Sequence, residues 1–561
     1  ALWSTSIGWH LASGRLMLAE GRVLEADPFS FTAQGTPWLD HEWLFQVLVA
    51  CVDAAAGTAG LIAMRCLITA CLGLVLLAIA RRSGLPGPAA LVLATAALYA
   101  ARLRFFMRPE LLTILIATLV VWIYLDVDLK LVPDPERGLP EQRRRIWGWA
   151  LALAGLTMLG ANLHGGALVI PAMVCGLWIA EAAGSLLGLG PDRSLLAPRA
   201  LGAVAVLAAP LVNPQGWRLY LVPFSLAHLV GQPYVPNPEW ISPSPADLPS
   251  LWLAAALGLA ALAAAERRPV RWALMLGITA LAMRYVRNAG LFFALLPLAS
   301  APAIARLGSR LSRVDRPGPT GRLAAALMLS ILIASGFVLV SPHPLELRMS
   351  AARYPIAAAD FMERHQLAGE RCYNDVVFGG YLIGRMFPPR QVFLDDRNEV
   401  HEPLLEEIYG VLGRSDVAAW QAMLDRYRIT TALLRYQEPI EVHAPDGSVL
   451  GRRGFSALWF PAPRWALVYW DDTSMLLVRR RPGNASRGQL SNHDQLSSRD
   501  QLLDEHEYRV IRPDDTEHLA RMLSTGRLTR QQLAAELQRK LEEDGTCRRA
   551  LDLSELVLGA R

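Results

Sequence analysis

Ten apolar stretches follow one another between residues 58 and 342, at roughly 58–80, 87–101, 110–127, 147–161, 166–187, 200–212, 248–265, 271–283, 290–305 and 322–342. Stretches this long and this poor in charge restrict the chain to few folds. In hydrocarbon every backbone N–H and C=O must be bonded within the protein, which only helices and closed barrels achieve. The runs are continuous rather than alternating, so they read as helices. Several fall short of the roughly 20 residues that cross a bilayer upright, so their boundaries are approximate. Their number and density exclude one large soluble helical core. Hydrophobic residues make up 53% of the 561 and charged residues only 19%, with the charge concentrated after about residue 342. The expectation is an α-helical polytopic membrane domain of about ten to eleven transmembrane helices, followed by a water-soluble part.

The loops give an orientation. Basic residues gather at Arg81–Arg82, from Arg137 to Arg145, from Glu266 to Arg271 and from Arg306 to Arg322. These are alternate loops and share one side, which the bias of Lys and Arg makes the cytoplasm. The other face receives the segment before residue 58, Arg102 to Glu110, Asn162 to Gly166, Asn213 to Pro245, Arg284 to Asn288, and everything after Ser341. The chain begins at Ala1 without Met, and one outward-running helix ahead of it would complete the pattern. The formal charge of +5 is explained by topology, and no long basic run of the kind that grips nucleic acid occurs.

Arg102, Arg104 and Arg108 in one outer loop, and Arg284 and Arg287 in another, run against that bias. Phosphate lies at headgroup level and guanidinium binds it with paired bonds, so all five are candidate substrate-binding residues. The alternatives are snorkelling to headgroups or pairing with Asp27, Asp40, Glu42 or Glu239. Arg65, inside an apolar run, reads as an internal ion partner. The turn Asn162-Leu-His-Gly-Gly166 reverses the chain tightly and puts His164 at the outer interface, either as a hydrogen-bonded turn residue or as part of the site. The loop from Asn213 contains NPQGWRLY and then NPEW. A re-entrant or amphipathic course over a cavity would bring Glu239 to the site; a solvated loop acid is the alternative.

Ahead of the apolar series stands a polar, aromatic, turn-rich segment, HLASGRLMLAEGRVLEADPFSFTAQGTPWLDHEW, from His10 to Trp43. Residues 9–21 show an amphipathic helical pattern suited to lying flat on the outer leaflet. Asp27, Asp40 and Glu42 follow and are the candidate catalytic acids. Asp27 equally suits turn initiation before Pro28, and Asp40 suits capping of a helix that starts near Glu42.

Taken in order, GWHLASGRLML…DPFSFTAQGTPWLDHEWL, NLHGG, NPQGW, NPEW and FGGYLIGRMFPPRQVFLDDR resemble a group of bacterial multi-pass proteins related to the GT-C glycosyltransferases, over about residues 6–440. The resemblance implies a GT-C-like fold in a bacterial inner membrane, and transfer of a sugar from a polyprenyl-phosphate carrier on the extracytoplasmic face. It implies an acid from the first outer loop that orients the acceptor, and later basic residues that neutralise the departing lipid phosphate. It leaves a divalent metal optional, and no ligand cluster in the sequence demands one. The chain departs from the group at Ser6, where relatives carry an Asp three residues before the Trp-His pair. Its first acid is Glu20. Asp27, Asp40 or Glu42 would have to substitute. Otherwise the protein is a non-catalytic relative serving as a scaffold or assembly subunit of a membrane protein complex. A transporter ranks third, because ionisable groups other than Arg65 gather at the outer ends rather than at mid-membrane.

These readings divide the chain into an extracytoplasmic loop with amphipathic helices (1–57), a transmembrane domain (58–342), a small extracytoplasmic α/β domain (343–482), and a linker with C-terminal helices (483–561). In the α/β part, Tyr354–Leu367, 400–412 and 416–427 read as helices. Val392-Phe-Leu, Thr431-Ala-Leu-Leu, Ala466-Leu-Val-Tyr and Met475-Leu-Leu-Val read as strands. Gly379-Gly380-Tyr381 reads as a packing turn or a close approach to a ligand, and Asp395-Asp396-Arg397 as a salt-bridged turn or a strand-end site. Residues 483–505 suit a linker, and amphipathic helices from about 513 to 558 suit docking on a partner or on the outer domain. Of the six cysteines, Cys51, Cys66, Cys71 and Cys175 read as packing residues, and a Cys372–Cys547 disulfide is open.

Overall fold

The computed structural model describes residues 4–126, 139–190, 193–234, 238–311, 349–367, 371–443, 448–480 and 498–558. The expected span 322–342, Asn237, Arg137 and residues 483–497 of the expected linker lie outside them. The chain forms two compact units. The first comprises Ala1–Ser4, Ser13–Glu25 and Leu39–Arg348, and the second Thr5–Ala12, Ala26–Trp38 and Met349–Arg561.

The first unit is helical. Helices occupy Trp43–Arg82, Gly87–Ala101, Pro109–Leu125, Leu139–Leu163, Val169–Leu186, Leu196–Ala208, Pro249–Ala265, Pro269–Arg284 and Ala289–Leu311, so each of the first nine apolar runs is helical. Trp43–Arg82, Arg143–Leu163, Gly165–Leu186, Arg193–Leu211 and Val286–Arg310 are long and apolar enough to cross a membrane. Gly87–Ala101, Pro109–Leu125 and Pro249–Ala265 are apolar but shorter. The first long helix bends at Gly57, whose backbone (φ +57°) only glycine adopts readily. Among these five long spans, Val286–Arg310, which contains helix Ala289–Leu311, is the most enclosed. Its Ala294 meets Leu72, Leu76, Ala94, Ala97 and Ile114, and its Ala301 meets Ala80, Leu85 and Ala90. Small residues let these helices approach closely without a hydrophobic drive between them.

Contacts sort the connecting segments into two sets. At one end of the helices, Arg82 pairs with Asp126 at 2.5 Å and Arg306 with Glu266. At the other, Asn213 Nδ2 donates to Asn162 Oδ1 (3.1 Å), Val286 N to Ile241 O (2.9 Å), and Arg104 and Arg108 pair with Glu239. These are the sets that the alternation of basic loops predicts. One expectation is corrected. Arg65 makes no ion pair among the described residues; only Thr69 Oγ1 donates to its carbonyl, one turn on. A different pair, Arg199 with Glu181, is buried between helices, with Tyr124 OH donating to Glu181 at 2.9 Å. The sequence hides it because partners on separate helices show no spacing.

The second unit holds a four-stranded mixed sheet in the order β1-β2-β6-β5, with β1 Cys372–Asn374, β2 Thr431–Arg435, β5 Trp465–Trp470 and β6 Ser474–Arg479. β1 and β2 run parallel, joined through helices Val376–Met386, Asn398–Gly413 and Val417–Arg426, and the other pairs are antiparallel. The Asp471 carboxylate closes the β5–β6 turn by accepting from Thr473 N and Ser474 N, both at 2.7 Å. A separate hairpin pairs β3 Ile440–His443 with β4 Val449–Arg453.

Several readings are corrected here. Val392-Phe-Leu is extended but forms only a bridge to Ser30. Gly379-Gly380-Tyr381 lies inside helix Val376–Met386, not in a turn. A Cβ on Gly380 would stand 2.1 Å from Thr5 O, and one on Gly8 would stand 2.0 Å from Gly380 O, so the glycines let two helical backbones touch. The opening helix, Ile7–Glu20, is buried from Ile7 to Gly14 and does not lie on a surface there. Residues 498–505 of the expected linker belong to helix Ser498–His506. Cys372 and Cys547 are not joined in a disulfide, and Cys547 Sγ contacts Asp472 at 3.4 Å. The helices Thr516–Ser524, Arg530–Glu543 and Arg548–Leu558 dock within this unit. Glu536 accepts from the backbone N–H of 509–511, and Asp472 from Arg548 N and Arg549 N.

Candidate active site

In the first unit, the motifs that stand far apart in sequence interlock through one asparagine. Asn162 Oδ1 accepts from Trp43 Nε1 and from Asn213 Nδ2, both at 3.1 Å, and its Nδ2 donates to Val212 O at 2.8 Å. Asn213 Oδ1 in turn accepts from Gln215 N, fixing the NPQG turn. The amide side chain therefore ties the DHEW, NLHGG and NPQGW segments together.

The next two glycines make room for two imidazoles. A Cβ on Gly165 would be 3.0 Å from His41 Cγ, and one on Gly166 would be 2.4 Å from His164 Cε1. The rings lie 6.3 Å apart, on either side of Glu42. Glu42 Oε1 is 3.5 Å from His164 Nε2 and 3.9 Å from His41 Nδ1. His164 Nδ1 is 2.9 Å from Thr113 Oγ1. Burial lowers the pKa of His41 to about 4, with Arg287 adding to the effect. Burial, His41, Arg287 and Arg104 hold His164 well below the ordinary histidine range. Both rings are thus neutral near pH 7. In the neutral tautomer with the proton on Nε2, His164 turns that N–H towards Glu42, and its Nδ1 accepts a hydrogen bond from the Thr113 hydroxyl.

The guanidinium groups divide by partner. Arg104 is buried and pairs with Glu110 and with Glu239, and Arg108 pairs with Glu239 at 2.8 Å. Burial alone would lift the Glu239 pKa, but Arg108 and Arg104 outweigh it and hold it at about 2. These two arginines spend their charge on the fold. Arg287 stands over Trp240 at 4.2 Å and Arg284 over Tyr285 at 4.7 Å, with the two rings edge to face at 5.1 Å. Neither Arg284 nor Arg287 has an ion-pair partner among the described residues. Arg287 is close enough to act electrostatically on Glu239, His41 and His164. Arg102 stacks on Tyr99 at 3.9 Å and donates to Tyr99 O.

The three candidate acids separate. Glu42 joins His164 in the cluster. Asp40 is buried, and its Oδ1 accepts from Glu42 N and from Gln46 Nε2 (2.7 Å), steadying the start of helix Trp43–Arg82. Asp27 belongs to the second unit. There it accepts from Phe29 N, Ser30 N and Ser30 Oγ, and it pairs with buried Arg397 at 2.8 Å. Arg397 also holds Asp395 at 2.6 Å under Trp9, Phe29 and Trp38, while Asp396 accepts from Trp9 Nε1 at 2.7 Å. The Asp395-Asp396-Arg397 turn is the salt-bridged alternative. Sequence reasoning passed over His41, Thr113, Glu110, Trp240 and Tyr285. His41 and Trp240 sit beside named residues and were within reach; Thr113 and Glu110 open a helix and show no pattern. Among the described residues, no group of three or more His, Cys, Asp or Glu side chains is placed to hold a metal ion.

The sequence matches no protein-family model and no curated protein. Among solved structures, the chain is similar to the Archaeoglobus fulgidus oligosaccharyltransferase in its apo form, with a TM-score of 0.55 at 10% identity, over 83% of this chain and 76% of that one. The same enzyme tethered through a disulfide to an acceptor peptide containing the NVT sequon gives 0.53 at 10% identity, over 88% and 78%. This chain shares the fold of the archaeal oligosaccharyltransferase.

Proposed function

We propose that the protein is a GT-C-like integral membrane glycosyltransferase that moves a sugar from a polyprenyl-phosphate donor to an acceptor on the extracytoplasmic face of a bacterial inner membrane, where its C-terminal domain also lies. The observation that carries this reading is the placement of Glu42 with two neutral imidazoles within electrostatic reach of Arg287, a cation with no ion-pair partner among the described residues. Glu42 is the base that orients the acceptor, relayed by His164, and Arg287 and Arg284 take the departing lipid phosphate. Arg102 is a peripheral phosphate contact. Arg104, Arg108 and Glu239 position that wall. The oligosaccharyltransferase fold supports glycosyl transfer and an acceptor as large as a peptide.

A second reading has its own support. Asp27 and Asp40 are both taken up by turns and caps, as expected of a non-catalytic scaffold subunit in a membrane protein complex. The two readings part at Glu42 and Arg287. The full chain, purified with its native lipids, is examined by mass spectrometry for bound polyprenyl phosphate and assayed for release of the sugar. On the transferase reading, Arg287→Ala loses the lipid. Glu42→Gln keeps it and cuts transfer by about 10²-fold or more. Wild-type protein that carries no such lipid and releases no sugar returns the scaffold, and Glu42→Gln with full turnover removes Glu42 as the base.

A further inference from the structure

The elbow built from the 3-10 helix Gly216–Leu221 and the helix Val222–Val230 carries two apolar stripes, where a soluble surface helix carries one. The inward stripe contains Leu219 and Val222, buried against Ala161 and Leu168. The opposite stripe runs Trp217, Leu221, Phe224, at spacings of four and three, and these side chains are 64%, 49% and 74% exposed. A contiguous apolar strip facing outward marks a surface that something covers.

Three observations say what covers it. The strip continues directly from the span Arg193–Leu211, whose Leu207 and Leu211 also face outward. No Asp or Glu occurs from Arg193 to Pro238, so nothing in this stretch repels anionic headgroups. Exposed Arg218 and His228 flank the strip, where they reach phosphate while the apolar side chains stay below it.

We propose that Trp217, Leu221 and Phe224 insert among the acyl chains of the leaflet into which the span 193–211 emerges, making the elbow an in-plane membrane anchor. This rests on the membrane assignment alone and stands whether or not the protein transfers sugar. The test places the photo-crosslinking residue p-benzoylphenylalanine at Trp217 or Phe224 in the full chain, reconstituted in phosphatidylcholine–phosphatidylglycerol nanodiscs. Leu207, on the span, is the positive control, and Gln538, an exposed residue of the second unit, is the negative one. Both test positions are exposed, so the probe displaces no core. Irradiation is expected to add the mass of one phospholipid at Trp217 and Phe224, as at Leu207, and none at Gln538. Adducts to a second protein, crosslinks back to this chain, or no adduct where Leu207 reacts would each overturn the proposal.

Discussion

Residue by residue, the same side-chain chemistry serves two ends, and its neighbours decide which. Arg397 and Arg287 are both arginines against aromatic rings. The first is buried with Asp27 and Asp395 and is locked, whereas the second has no ion-pair partner among the described residues. Removing Arg397 would leave two carboxylates buried without their cation. Arg397→Ala is therefore expected to cost about 3–5 kcal/mol, seen as a lower thermal midpoint of the second unit. The imidazoles and Glu239 set an acid limit. An unfolded histidine takes a proton near 6.5, but His41 resists until about 4. Between those values the unfolded chain binds more protons, so stability falls as pH drops. His164 acts with the same sign. Glu239, held at about 2 against an ordinary 4.5, contributes stability that is complete above 4.5 and lost as pH falls towards 2. Thermal scans should thus show two successive acid losses. His41→Gln should shrink the upper one and leave the lower.

Among elements, glycine spacing matters more than the sequence patterns announce. The helix Val376–Met386 and the start of the opening helix touch through Gly380, Gly384 and Gly8, where a single Cβ would meet backbone at 2.0–2.7 Å. Gly380→Ala is expected to force the pair apart and destabilise by about 1–3 kcal/mol, measured as loss of thermal stability with secondary structure retained. Gly165 and Gly166 do the same service for His41 and His164. The helices Val169–Leu186 and Leu196–Ala208 illustrate the converse, since their buried Glu181–Arg199 pair holds two apolar elements in one register.

For the whole molecule, the five helices among the described residues that are long and apolar enough to cross a bilayer make peripheral association inadequate. The protein should remain in the membrane pellet after an alkaline carbonate wash and leave it only with detergent; release by the wash alone would contradict the membrane assignment. The order of the apolar runs, the helical state of nine of them and the alternation of basic loops were all legible in the sequence. Hydrophobic length and local charge act over short stretches of chain, and bilayer physics reads them directly. The strands β2, β5 and β6 were legible for the same local reason. Val392-Phe-Leu failed because, among the described residues, its strand pairing is a single bridge to Ser30, more than three hundred residues away. The sequence alone could name a set of outer acids and arginines. Only the tertiary structure decided that Asp27 neutralises Arg397, that Asp40 steadies a helix, and that Glu42, His41, His164 and Arg287 belong to one cluster. Ionisable groups act through distances of a few ångströms, and those distances are set by long-range packing that no local pattern encodes.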